Sequence, residues 1–133
     1  MPKLPTMPKL PILPALLFLA CCSAPTSEQQ AALAAEGFYR HLVAGEYEQF
    51  LEGKAGADSL PEAYREQLLT GYQQFMDKQQ RAHGGITDVR ISNVRKDTLT
   101  DYTSVLLILC YGDSTQEEII VPMVHHNGTW RIR

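Results

Sequence analysis

The chain is 133 residues long, with 44% hydrophobic and 20% charged residues and a formal net charge of −3. That length holds one domain and a leader but not two separate cores, and the composition lies outside the disordered class. Residues 1–20 carry Lys3 and Lys9 and no acid, so the remainder stands at −5; with no Lys/Arg cluster to offset that repulsion of phosphate backbones, nucleic-acid binding is not expected.

The two lysines precede an apolar run over residues 10–20, interrupted by Pro11 and Pro14. As a helix the run would rise roughly 17 Å, against a hydrocarbon core of about 30 Å, so it is too short to span a bilayer. A basic start, a short apolar centre and small residues at the end are the parts of a secretory signal. Here the pattern ends on cysteine. "FLAC" and "LACC" both resemble the bacterial lipobox, in which a cysteine receives a diacylglyceryl group before cleavage. Cys21 follows Ala20 and is the favoured site; Cys22 has Leu19 and Ala20 in the outer positions but Cys21 just before it. The expected division is a signal peptide over 1–20, a tether over 21–27 and one domain over 28–133. An ordinary secretory peptide with incidental cysteines is the alternative. "MPKLP" occurs at 1–5 and again at 7–11, which leaves Met1 and Met7 both open as the start.

Along the domain, "SAPTSEQQ" is small and polar, and Ser27 with Gln30 reads as a capping box that opens a helix. Ala31, Ala35, Phe38 and Leu42 form its apolar stripe, and Gly45 is its expected stop. "EYEQFLEG" predicts a further turn or two that buries Tyr47, Phe50 and Leu51. "KAGADS" reads as a loop. A second capping box, Ser59 with Glu62, opens the longest helix, in which Tyr64, Leu68, Tyr72 and Phe75 make the apolar face beside Met76, and Gly84–Gly85 end it.

The period then changes from 3.6 to two. "ITDVRISNV" predicts a strand, and "YTSVLLILCY" a central strand covered on both faces. Pro122 in "TQEEIIVPMVH" costs a ladder donor, so an edge or a bulge is expected there. Asn127–Gly128 suits a type I′ hairpin turn, and "WRIR" closes the chain. Cys110 is expected to be buried and unpaired rather than in a disulfide with Cys21 or Cys22. Helices first and antiparallel strands after give an α+β domain with helices on one face of the sheet.

This order of parts, with "GEYEQFLEG", "HGGITDVRI" and "NGTWRI" as its most specific pieces, resembles small bacterial lipoproteins of unknown function in the nuclear transport factor 2-like, cystatin-like superfamily. Within it, the resemblance points to the domain of unknown function 4878 family. It covers about residues 28–133 and implies a curved antiparallel sheet wrapped on helices as a cone, which in many relatives encloses a pocket. This chain is shorter by a strand or two. The superfamily holds isomerases and hydratases as well as binding and dimerising domains, so the fold leaves function open.

No motif in the chain carries chemistry. His125 and His126 are adjacent, and strand neighbours point to opposite faces, so they do not form a metal pair. Asp88, Asp101, Asp113, Glu117 and Glu118 fall at turn or solvent-facing positions, and Tyr39, Tyr64 and Tyr72 sit at core spacing on helices. No Ser/His/Asp set, phosphate-cradling glycine loop or CxxC pair is present. The expectation is a non-enzymatic domain without cofactor or catalytic residues, held to a membrane of the bacterial cell envelope by an N-terminal lipid on Cys21 or Cys22. It would bind a protein partner or small ligand or form a homodimer. The rival is a small pocket enzyme of the isomerase or hydratase kind. A buried carboxylate beside a tyrosine hydroxyl would mark the enzyme; a cone filled by Phe38, Leu68, Phe75 and Trp130 would exclude it.

Overall fold

The structure, a computed structural model, describes residues 23–133. The expected signal peptide over 1–20 and both candidate lipidation sites, Cys21 and Cys22, lie outside the described residues. The order of elements is α1 (Ser27–Val43), α2 (Tyr47–Glu52), a short 3₁₀ turn (Ala57–Ser59), α3 (Glu62–His83), then β1 (Ile86–Lys96), β2 (Tyr102–Tyr111), β3 (Gln116–His126) and β4 (Thr129–Ile132). The four strands form one antiparallel sheet in the order β1-β2-β3-β4. The fold is α+β, helices first and a meander after, as the change of period predicts.

Helix α1 begins one residue earlier than expected. Thr26 is the N-cap: its hydroxyl accepts from the Gln29 amide at 3.1 Å, and the Gln29 side chain accepts from the Thr26 amide at 2.9 Å. Ala31, Ala32, Ala35 and Leu42 lie buried on the sheet. Three alanines in that stripe let the helix backbone come close to β1, and the same face reaches β4. The inner face of the sheet supplies Val89, Val105, Leu107, Leu109, Val121, Met123 and Ile132, all buried. Two register shifts in β1, at Ile86/Asp88 and Ile91/Asn93, bend the sheet around this core.

Other expectations need correction. Ser59 does not cap α3: it ends the 3₁₀ turn, and Pro61 occupies the N-cap with no side-chain bond. The apolar face of α3 is not covered as its periodicity suggests, for none of its residues is fully buried and Tyr64 and Phe75 are 50% and 40% exposed. Strand β2 is central but covered on one face only, its burial alternating strictly between half-buried and buried. Cys110 sits on the outer, half-buried row; it is free, and Arg90 Nη2 donates to its sulfur at 3.2 Å.

Pro122 lies neither on an outermost strand nor at a bulge. It pairs with Ser104, while its carbonyl accepts from the Arg133 amide at 2.8 Å, on the side of β4. Its missing N–H faces that same side, opposite Arg133, so this pair keeps one ladder bond instead of two at the point where the pairing of β3 with β4 stops. Beyond it, residues 116–121 of β3 have no further strand beside them among the described residues.

The far end of α3 is tied to the β2–β3 turn. The Gly112 amide donates to Gly85 at 2.9 Å and the Asp113 amide to His83 at 2.8 Å. A Cβ on Gly112 would meet the Gly84 carbonyl oxygen at 2.5 Å, so only glycine permits that approach. His83 Nδ1 lies 2.9 Å from Asp113 Oδ2, and the His83 ring packs on Tyr111 at 4.6 Å. The Thr115 hydroxyl, then His83 and the Thr115 amide, hold the Asp113 carboxyl down at about 2. A carboxyl depressed on folding stabilises above its unfolded value near 4 and loses that contribution as pH falls through its folded value. Acid titration of stability should therefore show a loss between about pH 4 and pH 2 that Asp113→Asn flattens; an unchanged slope in the variant would refute this.

Candidate functional site

The cone's interior is occupied. Phe50 stands edge-on between Tyr39 and Tyr72, with ring centroids 5.1 Å and 4.9 Å away. Of the four side chains whose filling of the cone would exclude the enzyme, Phe38 and Trp130 pack against the same core, whereas Phe75 is 40% exposed. Burial raises the Tyr39 hydroxyl's pKa, with Tyr72 adding to it; burial raises that of Tyr72 too, with Tyr64 adding. No carboxylate contributes to either shift.

The Tyr72 hydroxyl and the Trp130 indole N–H are buried without a hydrogen-bond partner among the described residues. An unsatisfied buried hydroxyl costs free energy that a phenyl ring does not. Tyr72→Phe is expected to raise stability by about 1 kcal/mol in a denaturant titration. A destabilised variant would reveal a partner for that oxygen.

Space opens elsewhere, where the segment after α2 meets the β4 edge. Gly53 makes the meeting possible: it is buried, and a Cβ there would lie 2.5 Å from the Phe38 ring. The chain then runs beside β4, with the Ile132 amide donating to Gly53 and the Ala55 amide to Ile132, both at 2.7 Å. Lys54 and Ile132 form a single parallel bridge. Gly56, at φ +77°, turns the chain into the 3₁₀ turn.

The result is an open groove of about 800 Å³ between residues 52–59, the first turns of α3 and the β3–β4 hairpin. Lys54, Arg65 and Arg131 give it three cationic side chains, beside His126, Ser59 and Thr129. Glu52 and Asp58 also line it, both exposed. Arg131 Nη1 donates to the Glu52 carbonyl at 2.9 Å, and Arg65 Nη2 reaches Glu48 Oε2 at 3.3 Å. Thr129 Oγ1 donates to the His126 carbonyl at 3.1 Å and closes the hairpin.

The candidate residues are scattered. His126 lines the groove, while His125 packs edge-on against Trp130 at 5.0 Å, so the pair diverges. His41 bonds Glu46 at 3.1 Å. Asp88 accepts from Arg40 at 3.1 Å, and the Val89 amide, then Arg40, lower its pKa. Glu117 accepts from the Tyr111 hydroxyl, and Glu118 from Ser92. Asp101 and Tyr64 are exposed. Among the described residues, no three His, Cys, Asp or Glu side chains converge on a metal-sized site. Sequence reading missed the groove because its residues come from three separate segments with no motif among them. Two glycine-containing turns, "KAGADS" and "HNGT", were the only local signal.

No family model matches the sequence, and no curated protein matches it. Among solved structures, the fold is similar to that of a Campylobacter jejuni protein that bears the name NTF2-like transpeptidase. The two are 12% identical with a TM-score of 0.59, over 74% of this chain and 92% of that one. Likeness at that identity shows a shared nuclear transport factor 2-like fold.

Proposed function

We propose that this chain is a non-enzymatic binding domain, held to a cell-envelope membrane by a lipid on Cys21 or Cys22, that takes a small ligand or a segment of a protein partner in the groove beside β4. The observation that carries the reading is where the space lies: the interior is packed by Tyr39, Phe50 and Tyr72, and the groove opens outside it. Ligand sites in small folds are concave and present a few convergent polar groups, which describes the groove.

The pocket-enzyme rival calls for a base near an oxyanion-stabilising hydroxyl. Burial leads the upward shifts of Tyr39 and Tyr72, followed by Tyr72 for the first and Tyr64 for the second, and the carboxylate that the Tyr111 hydroxyl does meet, Glu117, is exposed rather than buried. A covalent transpeptidase route, suggested by the neighbour's name, calls for a nucleophile beside a base. Cys110, the free thiol among the described residues, has Arg90 as its partner.

One observation favours a second mode of partner binding. Among the described residues nothing pairs with the outer edge of 116–121 in β3, and Ile120 is 68% exposed, so a strand of a partner or of a second copy could add there. Hydrogen exchange on the cross-linked complex tests the choice. Protection of amides 54–59 and 129–131 supports the groove, and protection confined to 116–121 transfers the function to the edge.

A further inference from the structure

We infer that the groove beside β4 binds an oxyanion, a phosphate or carboxylate group on a ligand or partner. The inference rests on the groove being the binding site, and it assigns the chemistry that the site recognises.

The mature chain is acidic, yet the half-buried charged side chains on the groove, Lys54, Arg65 and Arg131, are cationic, whereas its two acids, Glu52 and Asp58, stand in water. Lys54 and Arg131 are half-buried, and the Arg65 side chain is only 21% exposed. Among the described residues, neither Lys54 nor Arg131 makes an ion pair, and the partner of Arg65, Glu48, is itself 63% exposed. Half-buried cations lose hydration without the return that a close carboxylate gives, so an anion entering the groove completes them.

The acids of the groove do not serve. Glu52 offers its backbone carbonyl to Arg131, and both Glu52 and Asp58 are exposed to water. Arg131 spends one Nη1 bond on that carbonyl, leaving its other guanidinium donors for a ligand. A guanidinium fork matches phosphate or carboxylate oxygens, and Lys54 adds a point charge. The first turn of α3 lies between Ser59 and Arg65, both on the groove, and no side chain caps it. That end of a 22-residue helix adds partial positive charge of its own. Hydroxyls of Ser59 and Thr129 complete a set that suits an anion bearing further polar groups.

The test is a titration of the ¹⁵N-labelled full chain with sodium phosphate, followed through its backbone amides. Saturable shifts at residues 54–59 and 129–131, with a Kd of about 1 mM or below, are expected. Lys54→Gln, which removes no hydrogen bond of the fold, should weaken binding several-fold, and Lys54→Gln with Arg131→Gln at least about tenfold. Sodium chloride at equal ionic strength reproducing the shifts would overturn the inference, as would no shift with phosphate. In that last case chitobiose, a neutral probe, and spermidine, a cationic one, separate two failures. If either moves the groove amides, the groove still binds but not an anion; if neither does, the binding reading falls as well. Vesicles with and without phosphatidylglycerol identify the source: broadening of the same amides only with the anionic lipid assigns a headgroup, and phosphate binding without it assigns a soluble ligand.

Discussion

A chain carrying Cys21→Ser and Cys22→Ser together is expected to incorporate no radiolabelled palmitate and to leave the membrane fraction. The lipid is the hold that this account assigns; among the described residues, no helix is long and apolar enough to cross a membrane. Each buried methylene contributes about 0.8 kcal/mol, so one acyl chain holds marginally and two or three hold firmly. Each single variant separates the two thiols. If the pattern is read as "FLAC", Cys21→Ser abolishes the label and Cys22→Ser leaves it. If it is read as "LACC", the outcomes reverse. Label retained by the double variant would remove the anchor from this account.

Leu107→Ala should be the most damaging of the core truncations, at roughly 3 kcal/mol within the usual range for buried leucine. Leu107 is fully buried on the inner face of β2, paired with Ile91 on one side and Ile119 on the other. A central strand between two partners collapses poorly onto a lost side chain, which keeps the cavity open and the cost high. In a domain of this size that is a fall in Tm of more than about 10 °C. Leu99, 93% exposed in the β1–β2 connection, supplies the control: Leu99→Ala should change stability by less than about 0.5 kcal/mol. Equal costs at the two positions would contradict the packing described.

The pattern of elements was legible because local rules sufficed. Helical spacing from Ala31 to Leu42, the change to period two after Gly85, and Asn127–Gly128 at the last hairpin each place their element. Ser59 misled because Ser-x-x-Glu marks a helix start only when the serine is extended, and here Ser59 is still inside a 3₁₀ turn. The stripe from Tyr64 to Phe75 shows that α3 has an apolar side but not how much of it any neighbour covers. That depends on where α2 and β1 lie, and α3 contacts few other elements. Pro122 was readable as a missing donor, and the structure puts it at the last position where β3 still meets β4, opposite Arg133.

The groove was out of reach for a different reason. Lys54, Arg65 and Arg131 are unremarkable surface types at unrelated positions. Gly53 brings them together by letting the chain pass against Phe38 and run beside β4. A functional cluster made by such a close approach leaves no spacing in the sequence to find. The likeness in fold to a protein 12% identical adds architecture but no site.

Mass spectrometry of the protein purified from its native cells after mild cross-linking asks whether this domain works by holding something in the groove beside β4. Beyond the mass of the lipid, the chain should carry an added mass, either a small molecule or a linked partner, which is lost when Lys54→Gln and Arg131→Gln are combined. The same further mass on both proteins, or none beyond the lipid on either, would contradict the account.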